Sequence, residues 1–263
     1  MAIEIKDPAE IERIRASCQI VYQVQRAIES ALEPGITTLE LDAIAARTIR
    51  DHGAVAAFKG YRGFPSSICT SVNAEAVHGL PGETRLRQGD IISVDVGVLL
   101  EGYYGDGAFT LGIEPIDSPV QSLISTTRTC LHIGIEQART GHRVSDISHA
   151  IQEHAEGNGF SVIREFGGHG IGHSLHEDPS ILNHGPPGKG PRLRAGFVLA
   201  IEPILTWGSP QLVTASDGWT AATRSGTPAA HFEHTIAVTG TAPDILTLPT
   251  DHPVSPALFT LQP

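Results

Sequence analysis

The spacing of apolar residues predicts a long amphipathic helix near the start of the chain. Asp7 can cap this helix, Pro8 suits its first position, and Glu10 can return a hydrogen bond to the cap. The apolar face recurs at helical intervals, at Ile11, Ile14, Cys18, Val21 and Ile28. The turn-forming segment Glu33-Pro34-Gly35 is expected to end the helix.

A shorter helix follows, and the same order then recurs. Thr37 and Glu40 form a capping box at the start of the first short helix. Ser118-Pro119 opens a second long helix, which breaks at Gly141 and gives way to another short helix. When Gly35 is placed on Gly141, the apolar positions of the two short helices coincide, which indicates an internal repeat.

We therefore predict a single domain over residues 1–263, built from two pseudo-symmetric halves at about 8–115 and 118–240. Each half is expected to contain a long helix, a glycine break, a short helix and then strands. Two α/β halves that face each other would leave a cleft between them, and such a cleft is a usual place for an active site.

The strands carry acidic residues. The stretch at Ile91–Leu100 reads IISVDVGVLL, which is rich in strand-forming residues and lies between turn signals. Alternation along it places the valines on one face and Asp95 on the other. Further strands are predicted at residues 103–113, 197–205 and 231–238, and the Gly/Pro-rich residues 185–191 predict a loop.

Four acids stand inside these apolar stretches, namely Asp95, Asp106, Glu202 and Glu233. A carboxylate in such a setting is costly unless it is paired, hydrogen-bonded or bound to a metal ion. No matching set of Lys or Arg lies nearby in the sequence. Any one of the four could be a strand-edge acid that faces water or a hydrogen-bonded core acid, but all four together favour convergence on cations.

The imidazole that best completes such a site is His169, in the segment EFGGHGIGHSLHEDP. Its flanking glycines would let the backbone come close to the ions. Oxygen-rich ligation with one imidazole suits divalent Mn, Fe, Co or Zn, and four acids can supply the bridging carboxylate that two ions need. His173 lies four residues further on, but a zincin helix is rejected, because the glutamate after the first histidine is missing and glycine disfavours a helix.

Composition narrows the classes of function. The formal net charge is −11 and a long basic stripe is missing, which argues against a duplex nucleic-acid binder. The three widely spaced cysteines, Cys18, Cys69 and Cys130, favour free thiols in a reducing cytoplasm over a disulfide framework. The N-terminal residues do not follow the pattern of a signal peptide, and no apolar run could span a bilayer. We therefore expect a cytoplasmic protein without membrane attachment.

Taken in order, these residues and their settings resemble the type I methionine aminopeptidases, within the pita-bread metallopeptidase family that also includes prolidase and aminopeptidase P. The matching segments are SVNAEAVHGLP around His78, DVGVLLEGYYGD, GGHGIGHSLHEDP, AIEP, SDGWTAAT and FEHTIAV. The resemblance covers residues 7–238. It implies the pita-bread fold, an α/β (α+β) arrangement of two pseudo-symmetric halves whose central antiparallel sheets are covered by helices.

The resemblance implies a dinuclear-metal aminopeptidase that removes the N-terminal methionine from nascent polypeptides when the second residue is small. Asp106 and Glu233 would bridge the two ions, Asp95 would bind one of them, and His169 and Glu202 would bind the other, with a hydroxide between the ions. Two ions together lower the pKa of water and polarise the scissile carbonyl. Glu202 would also act as the proton shuttle.

The resemblance also implies roles for two further histidines and for a methionine pocket. His176 would donate to the carbonyl or the tetrahedral intermediate. His78 would contact the substrate backbone and assist the departing amide nitrogen. Either could instead be a satisfied surface histidine. The pocket should be apolar, because a thioether is soft and unbranched. Its walls by motif position, each of which could instead be plain core, are Phe58, Tyr61, Phe64, Cys69, Leu175 and Trp219.

The chain departs from the family pattern in several places. Leu175 stands where a larger Phe or Met is common, which predicts a roomier pocket. Gly97 and the pair Gly107-Ala108 replace hydroxyl residues, so the hydrogen bonds around the two aspartates are in question. A Cys/His zinc-finger extension does not precede Asp7, and the large insertion of type II enzymes is missing. Both features favour the short, bacterial-like type I form.

Other functions fit parts of the pattern. A proline dipeptidase or aminopeptidase P would share the fold, but such proteins usually carry an extra N-terminal domain and lack the Trp219 segment. A pita-bread binding module without catalysis, as in some ribosome- or histone-associated relatives, typically loses ligands, whereas all five are present here. A phosphate-binding loop at residues 185–190, GPPGKG, is rejected, because two prolines remove amide donors and no Ser or Thr follows the lysine.

The expected partners are the N-termini of nascent polypeptides, and the resemblance suggests a monomer. Docking on the ribosome, the metal used in the cell and the preference at the second substrate residue are left open by the sequence. Availability decides the metal as much as ligand type does.

Overall fold

The structure is a computed structural model, and it describes residues 3–249. Its long helices alternate with short ones in the predicted order. They are α1 (Pro8–Ala31), α2 (Thr38–Asp51), α3 (Ser118–Gln137) and α4 (Val144–Gly157), with one 3-10 turn at Tyr61–Gly63. Among these described helices, none is both long and apolar enough to cross a membrane.

The predicted helix starts are confirmed. Asp7 Oδ1 accepts from the backbone N–H of Glu10 at 2.9 Å, and Glu10 Oε2 accepts from the backbone N–H of Asp7 at 2.8 Å. Thr37 and Glu40 close the same kind of box on α2. These reciprocal bonds satisfy amide groups that a helix start leaves without partners. Ile11 is half-buried, and the rest of the predicted face of α1 is fully buried.

The strands are short apart from one hairpin of two ten-residue strands. In chain order they are β1 (Val55–Ala56), β2 (Cys69–Val72), β3 (Glu75–Val77), β4 (Ile91–Leu100), β5 (Tyr103–Gly112), β6 (Ser161–Val162), β7 (Gly167–Gly170), β8 (Glu177–Leu182), β9 (Val198–Ile201), β10 (Ile204–Thr206), β11 (Leu212–Thr214), β12 (Ala221–Thr223), β13 (Ala229–His231), β14 (His234–Ala237) and β15 (Asp244–Ile245).

Two larger sheets form the centre of the molecule. In the N-terminal half, β4 pairs with β5 along one side and with β1 and β2 along the other. In the C-terminal half, the order is β15-β14-β9-β7-β8. Smaller three-stranded sheets have the orders β13-β10-β6 and β11-β12-β3, and the pairings are antiparallel throughout the described chain.

Each central sheet buries one face under its own pair of helices. Val94, Val96 and Val98 of β4 share a core cluster with the apolar faces of α1 and α2. Strand β9 shares a second cluster with α3 and α4. The acid-bearing face of β4 therefore points away from α1 and α2, because neighbouring residues of a strand face opposite sides.

Two of the predicted strand boundaries are wrong, because each stretch is divided in the structure. Residues 197–205 form β9 and β10, with Glu202 and Pro203 between them. Residues 231–238 contain the end of β13 and all of β14, with Phe232 and Glu233 between them. At both breaks the chain passes between the five-stranded sheet and the sheet of β10 and β13. Pro203 has no amide to continue a ladder, which gives a physical reason for the first break.

The β4–β5 hairpin is joined to the C-terminal strands beside the second break. The backbone N–H of Glu233 donates to the carbonyl of Ala108 at 2.8 Å, and the N–H of Ala108 donates back at 3.3 Å. The hydroxyl of Thr235 also donates to the carbonyl of Asp106 at 2.8 Å. All three cysteines are buried free thiols, as predicted. The division into two pseudo-symmetric halves of one domain stays a prediction.

Candidate metal centre

The β4–β5 hairpin brings two aspartates together on one face. Asp95 lies opposite Ala108, and Asp106 lies opposite Gly97. The two carboxylates are therefore diagonal neighbours on the face that points away from α1 and α2. Asp106 is buried and Asp95 is half-buried. Strand alternation and a hairpin between adjacent strands are enough to produce this pair.

The C-terminal sheet supplies the remaining polar groups. Strand β9 lies between β7 and β14, so that Ala200 is paired with His169 on one side and Thr235 on the other. Glu202 directly follows the last residue of β9, and Glu233 directly precedes the first residue of β14. Three adjacent strands therefore deliver an imidazole and two carboxylates to one side of this sheet.

The two sets of side chains meet. Ligand atoms of Asp106, His169 and Glu233 all lie within 4.8 Å of one another. His169 Nε2 is 4.0 Å from Asp106 Oδ2 and 3.8 Å from Glu202 Oε1. The other ring nitrogen, Nδ1, is 2.9 Å from the carbonyl of Gly170 and can donate to it. That bond leaves Nε2 as the lone-pair nitrogen that faces the acids, which is the usual arrangement of a metal-binding histidine.

The carboxyl groups are hard to ionise together without a counter-charge. Burial, followed by the charges of Asp95 and Glu202, raises the pKa of Asp106 well above its usual value. Burial, followed by the charges of Asp106 and Glu202, does the same to the pKa of Glu233. Burial is also the main cause that raises the pKa of Asp95 to about 6. A cluster of this kind is stabilised when a cation binds among the acids.

The donor set fits divalent cations. Asp95 Oδ1 and Glu233 Oε1 are buried, and within residues 3–249 neither has a hydrogen-bond partner. Several carboxylates and one imidazole form a ligand set suited to Mn, Fe, Co or Zn. A bound ion would supply both the missing partner for these oxygens and the positive charge that their neighbours lack.

Glu202 differs from the other acids. Burial raises its pKa, but the imidazole of His231 and then that of His169 act in the opposite direction and hold the pKa below its usual value. His231 Nε2 lies 3.6 Å from Glu202 Oε2. Sequence reasoning missed His231, although its place two residues before Glu233 was a signal. Glu202 is thus the acid of the cluster that is most easily kept as a carboxylate.

A cavity of about 340 Å³ opens onto the acids. It is lined by every residue that the sequence predicted for the metal, catalytic and methionine sites. The non-ligand members of that set are His78, His176, Phe58, Tyr61, Phe64, Cys69, Leu175 and Trp219. Residues far apart in the chain therefore share one cavity, in which acids and imidazoles stand beside apolar side chains.

Tyr61 holds His176 in place. The Tyr61 hydroxyl is 3.0 Å from His176 Nδ1, and the two rings stack with centroids 5.4 Å apart. Desolvation by the wall of the cavity, followed by the charge of His169, lowers the pKa of His176 to about 4. The imidazole is therefore neutral near pH 7, and when the hydroxyl donates to Nδ1, Nε2 carries the proton as a hydrogen-bond donor.

His78 occupies a strained position at the same cavity. Its φ is 59°, a left-handed conformation that is uncommon outside glycine, asparagine and aspartate. Its ring contacts Phe166 edge-on at 5.0 Å, and burial lowers its pKa. Strain of this kind persists where surrounding contacts fix the residue, and it is concentrated at functional sites.

Sequence reasoning missed part of the cavity lining. The missed side chains are Arg62, Glu165, Phe166, Ser180 and Leu182. Their signal was proximity alone, since Arg62 follows Tyr61, and Glu165 with Phe166 opens the segment that contains His169. Which neighbours of a motif reach a cavity depends on tertiary packing, which is not visible in the local pattern.

The structure gives a different reason for the glycines beside His169. A Cβ at Gly168 would overlap the carbonyl oxygen of Ala200, and one at Gly170 would overlap that of Asp178. These glycines therefore permit close approach of neighbouring strands, whereas the sequence suggested close approach to the ions.

A protein-family model and two bacterial relatives match this chain in sequence. The model of metallopeptidase family M24 matches residues 12–240. Methionine aminopeptidase 1 of Bacillus subtilis (strain 168) is 50% identical over 242 residues, covering 92% of this chain and 98% of the relative. A methionine aminopeptidase of Clostridium acetobutylicum is 47% identical over 247 residues, covering 94% of this chain and 99% of the relative.

Two solved structures match the fold of this chain. The crystal structure of methionine aminopeptidase from Thermotoga maritima matches with a TM-score of 0.93 and 42% identity, covering 94% of this chain and all of that one. Prolidase from Pyrococcus furiosus matches with a TM-score of 0.77 and 21% identity, covering 93% of this chain and 65% of that one. The latter likeness concerns the fold alone. The expected mixed α/β pita-bread fold is confirmed.

Proposed function

Because the chain belongs to metallopeptidase family M24, we propose that Asp95, Asp106, His169, Glu202 and Glu233 together hold two divalent metal ions. The activity is the release of an N-terminal methionine from polypeptides, as in the methionine aminopeptidases that match nearly the whole chain. One observation carries the metal assignment. Carboxylate oxygens of Asp106 and Glu202 lie 4.0 and 3.8 Å from the lone-pair nitrogen of His169, and one buried oxygen each of Asp95 and Glu233 has no hydrogen-bond partner within residues 3–249.

Their positions suggest how the five ligands divide between the ions. Asp106 lies between Asp95, its diagonal neighbour on the hairpin, and His169, whose Nε2 is 4.0 Å away. Glu233 is bonded through its backbone to Ala108 on the same strand as Asp106. Asp106 and Glu233 would therefore hold both ions, Asp95 would hold one of them, and His169 with Glu202 would hold the other. When bound, the ions supply Lewis acidity and a water of lowered pKa.

Glu202 is the proton carrier in this proposal. The imidazoles of His231 and His169 keep its carboxylate ionised although it is largely buried. An ionised carboxylate that faces the substrate cavity can accept a proton from water and return it to the amine that leaves.

His176 and His78 act on the peptide itself. A neutral His176 with its proton on Nε2 is a donor aimed into the cavity, where it stabilises negative charge that develops on the scissile carbonyl oxygen. His78, on the wall with Phe166, contacts the substrate backbone and assists the departing amide nitrogen.

The apolar part of the cavity is the methionine pocket. Phe64 contacts Trp219 edge-on at 5.2 Å, and Cys69 lies opposite Asp95 on the neighbouring strand. This register places the thiol of Cys69 next to the acids, and burial raises its pKa well above the usual value, so that it stays a neutral and polarisable contact for a thioether. The pocket lies directly beside the acids, which is where an aminopeptidase needs the side chain of the first substrate residue.

Further details are also proposals. The ions are Co, Mn, Fe or Zn, and the substrates are nascent polypeptides whose second residue is small. We propose that the chain works as a monomer in the cytoplasm, which its buried free thiols support. Docking on the ribosome would bring the enzyme to these substrates as they emerge.

The experiment that tests the function is hydrolysis of Met-Ala-Ser by protein reconstituted with each divalent metal in turn. Wild type is expected to release methionine only with metal, and His169→Ala is expected to lose nearly all activity. His149→Ala, on α4 and outside the cavity lining, is the matched control and should retain activity. Equal rates for wild type and His169→Ala would reject the site, and cleavage of X-Pro peptides without cleavage of Met-Ala-Ser would identify a prolidase-type enzyme instead.

A further inference from the structure

The ring of Phe58 packs against Gly97 beside the two aspartates. Gly97 stands two residues after Asp95 on the same face of β4, and its partner across the hairpin is Asp106. A Cβ built on Gly97 would lie 2.9 Å from both Cδ1 and Cζ of Phe58, and closer still to Cε1. Real Cβ atoms do not come this close to other atoms, so the ring occupies the volume that any other residue at position 97 would fill.

The backbone brings the ring to this place. Strand β1 pairs with the end of β4, and the N–H of Ala57 continues the ladder by donating to the carbonyl of Gly97 at 2.9 Å. The chain then turns, because the N–H of Tyr61 donates to the carbonyl of Phe58 at 2.9 Å. Phe58 is consequently held through the preceding residue and through its own carbonyl, and the residue is 8% exposed.

The same ring is a wall of the methionine pocket. Phe58 lines the cavity together with Asp95 and Asp106, and it shares a core cluster with Cys69 and Leu175. A displacement of the ring away from Gly97 would be directed off the face of β4, into the cavity, because the strand itself closes the other side.

We propose that Gly97 is a specificity-determining residue, which sets the depth of the pocket for the first substrate residue by letting the Phe58 ring lie flat against β4. This inference rests on the proposed function. Gly97 has no side chain to offer the substrate, so it acts through Phe58. The pair also accounts for the glycine that stands between the two aspartates, because a hydroxyl residue there would not fit with a phenyl ring at position 58.

Substitutions at the two positions should compensate for each other. Gly97→Ala forces the ring into the cavity and shortens the pocket. Phe58→Leu removes part of the ring and lengthens the pocket. In the double variant, the smaller leucine leaves room for the new methyl group, so that the depth of the pocket returns towards that of wild type.

The test compares kcat/KM for three peptides, X-Ala-Ser, in which X is methionine, the shorter norvaline or the longer ethionine. Ratios between peptides on one sample do not depend on the fraction folded or metal-loaded. For Gly97→Ala we expect the methionine-to-norvaline ratio to fall about tenfold, the size of a one-methylene effect in an apolar pocket. For Phe58→Leu we expect the ethionine-to-methionine ratio to rise, and for the double variant we expect both ratios within about threefold of wild type.

Gly112→Ala is the matched control. Its new Cβ would crowd the side chain of Ile116 at the far end of the same hairpin, away from the cavity, so it should lower the melting temperature without changing either ratio. An unchanged methionine-to-norvaline ratio in Gly97→Ala, or a double variant no closer to wild type than Gly97→Ala, would overturn the inference. Failure of the proposed function is distinct, since wild type would then release no methionine from any of the peptides.

Discussion

The ammonium group of Lys6 lies 2.9 Å from Glu177 Oε2, and the side chain of Lys6 is 2% exposed. The other oxygen of the same carboxylate, Glu177 Oε1, accepts from the backbone N–H of Ser174 at 3.0 Å. The segment between Ser174 and Glu177 carries Leu175 and His176 into the substrate cavity. A buried cation near the N-terminus therefore holds, through one carboxylate, the loop that presents two proposed substrate contacts.

Lys6→Met should weaken this loop. Loss of the charged hydrogen bond costs about 1.5–3 kcal/mol of the free energy of unfolding, because the Glu177 carboxylate is then left without its cation. We expect a lower melting temperature and a higher KM for Met-Ala-Ser, both measured on metal-loaded protein. Lys6→Arg keeps the charge and should recover much of the loss. If Lys6→Met bound peptide as wild type does, the bracing role of Lys6 would be wrong.

Replacement of Asp106 is predicted to change how metal binding affects the melting temperature. At a metal concentration of 100 times Kd, binding to the folded state alone stabilises by about 2.7 kcal/mol, which raises the melting temperature by roughly 5–10 °C for a domain of this size. Asp106→Asn should lose most of this metal-dependent rise. In metal-free protein the same change removes a carboxyl group whose ionisation is opposed by burial and by the charges of Asp95 and Glu202, and it should not lower the melting temperature.

Differential scanning calorimetry with and without Mn²⁺ measures both effects. The control is Asp51→Asn, which changes an exposed acid at the end of α2 and should leave the metal-dependent rise intact. A metal-dependent rise as large in Asp106→Asn as in wild type would remove Asp106 from the ligand set.

Asp95 and Asp106 show what local pattern can predict. Alternation along Ile91–Leu100 and the turn before Tyr103 determined the strands, their pairing and the face of both acids, because the relevant contacts join neighbours in the sequence. The capping boxes at Asp7 and Thr37 are equally local, and they are confirmed. These parts of the fold depend on no distant residue.

Glu202 and Glu233 show where local pattern fails. Apolar residues continue on both sides of each acid, so the sequence predicted unbroken strands, whereas the chain changes sheets at both places. Pro203 was a signal for the first break, but Phe232 offered none. The approach of His231 to Glu202 and of Phe58 to Gly97 likewise depends on how separate elements pack, which no periodicity records.

His176 and Tyr61 can be separated by kinetics. Removal of a donor that stabilises developing charge typically costs about 100-fold or more in kcat, and we expect this of His176→Ala with little change in KM. Tyr61→Phe removes only the 3.0 Å bond that orients the ring, and a single neutral hydrogen bond of about 1 kcal/mol corresponds to roughly fivefold. A larger loss of kcat in Tyr61→Phe than in His176→Ala would reverse these roles.

His132, on α3, provides a prediction about pH and stability. Burial, followed by the charges of His234 and Arg128, lowers the pKa of His132 from 6.5 to about 3. The unfolded chain then binds a proton that the folded chain does not, so stability is lost as the pH falls below about 6.5 and continues to fall until about pH 3.

His132→Gln cannot take up this proton. The free energy of unfolding, measured by urea titration, should fall between pH 7.5 and pH 5 in both proteins. The fall should be smaller in the variant by about 1 kcal/mol, after allowance for partial exposure of the ring. His52→Gln, at the exposed end of α2, is the control and should lose stability with pH as wild type does. Equal losses in wild type and His132→Gln would show that this imidazole takes no part in acid unfolding.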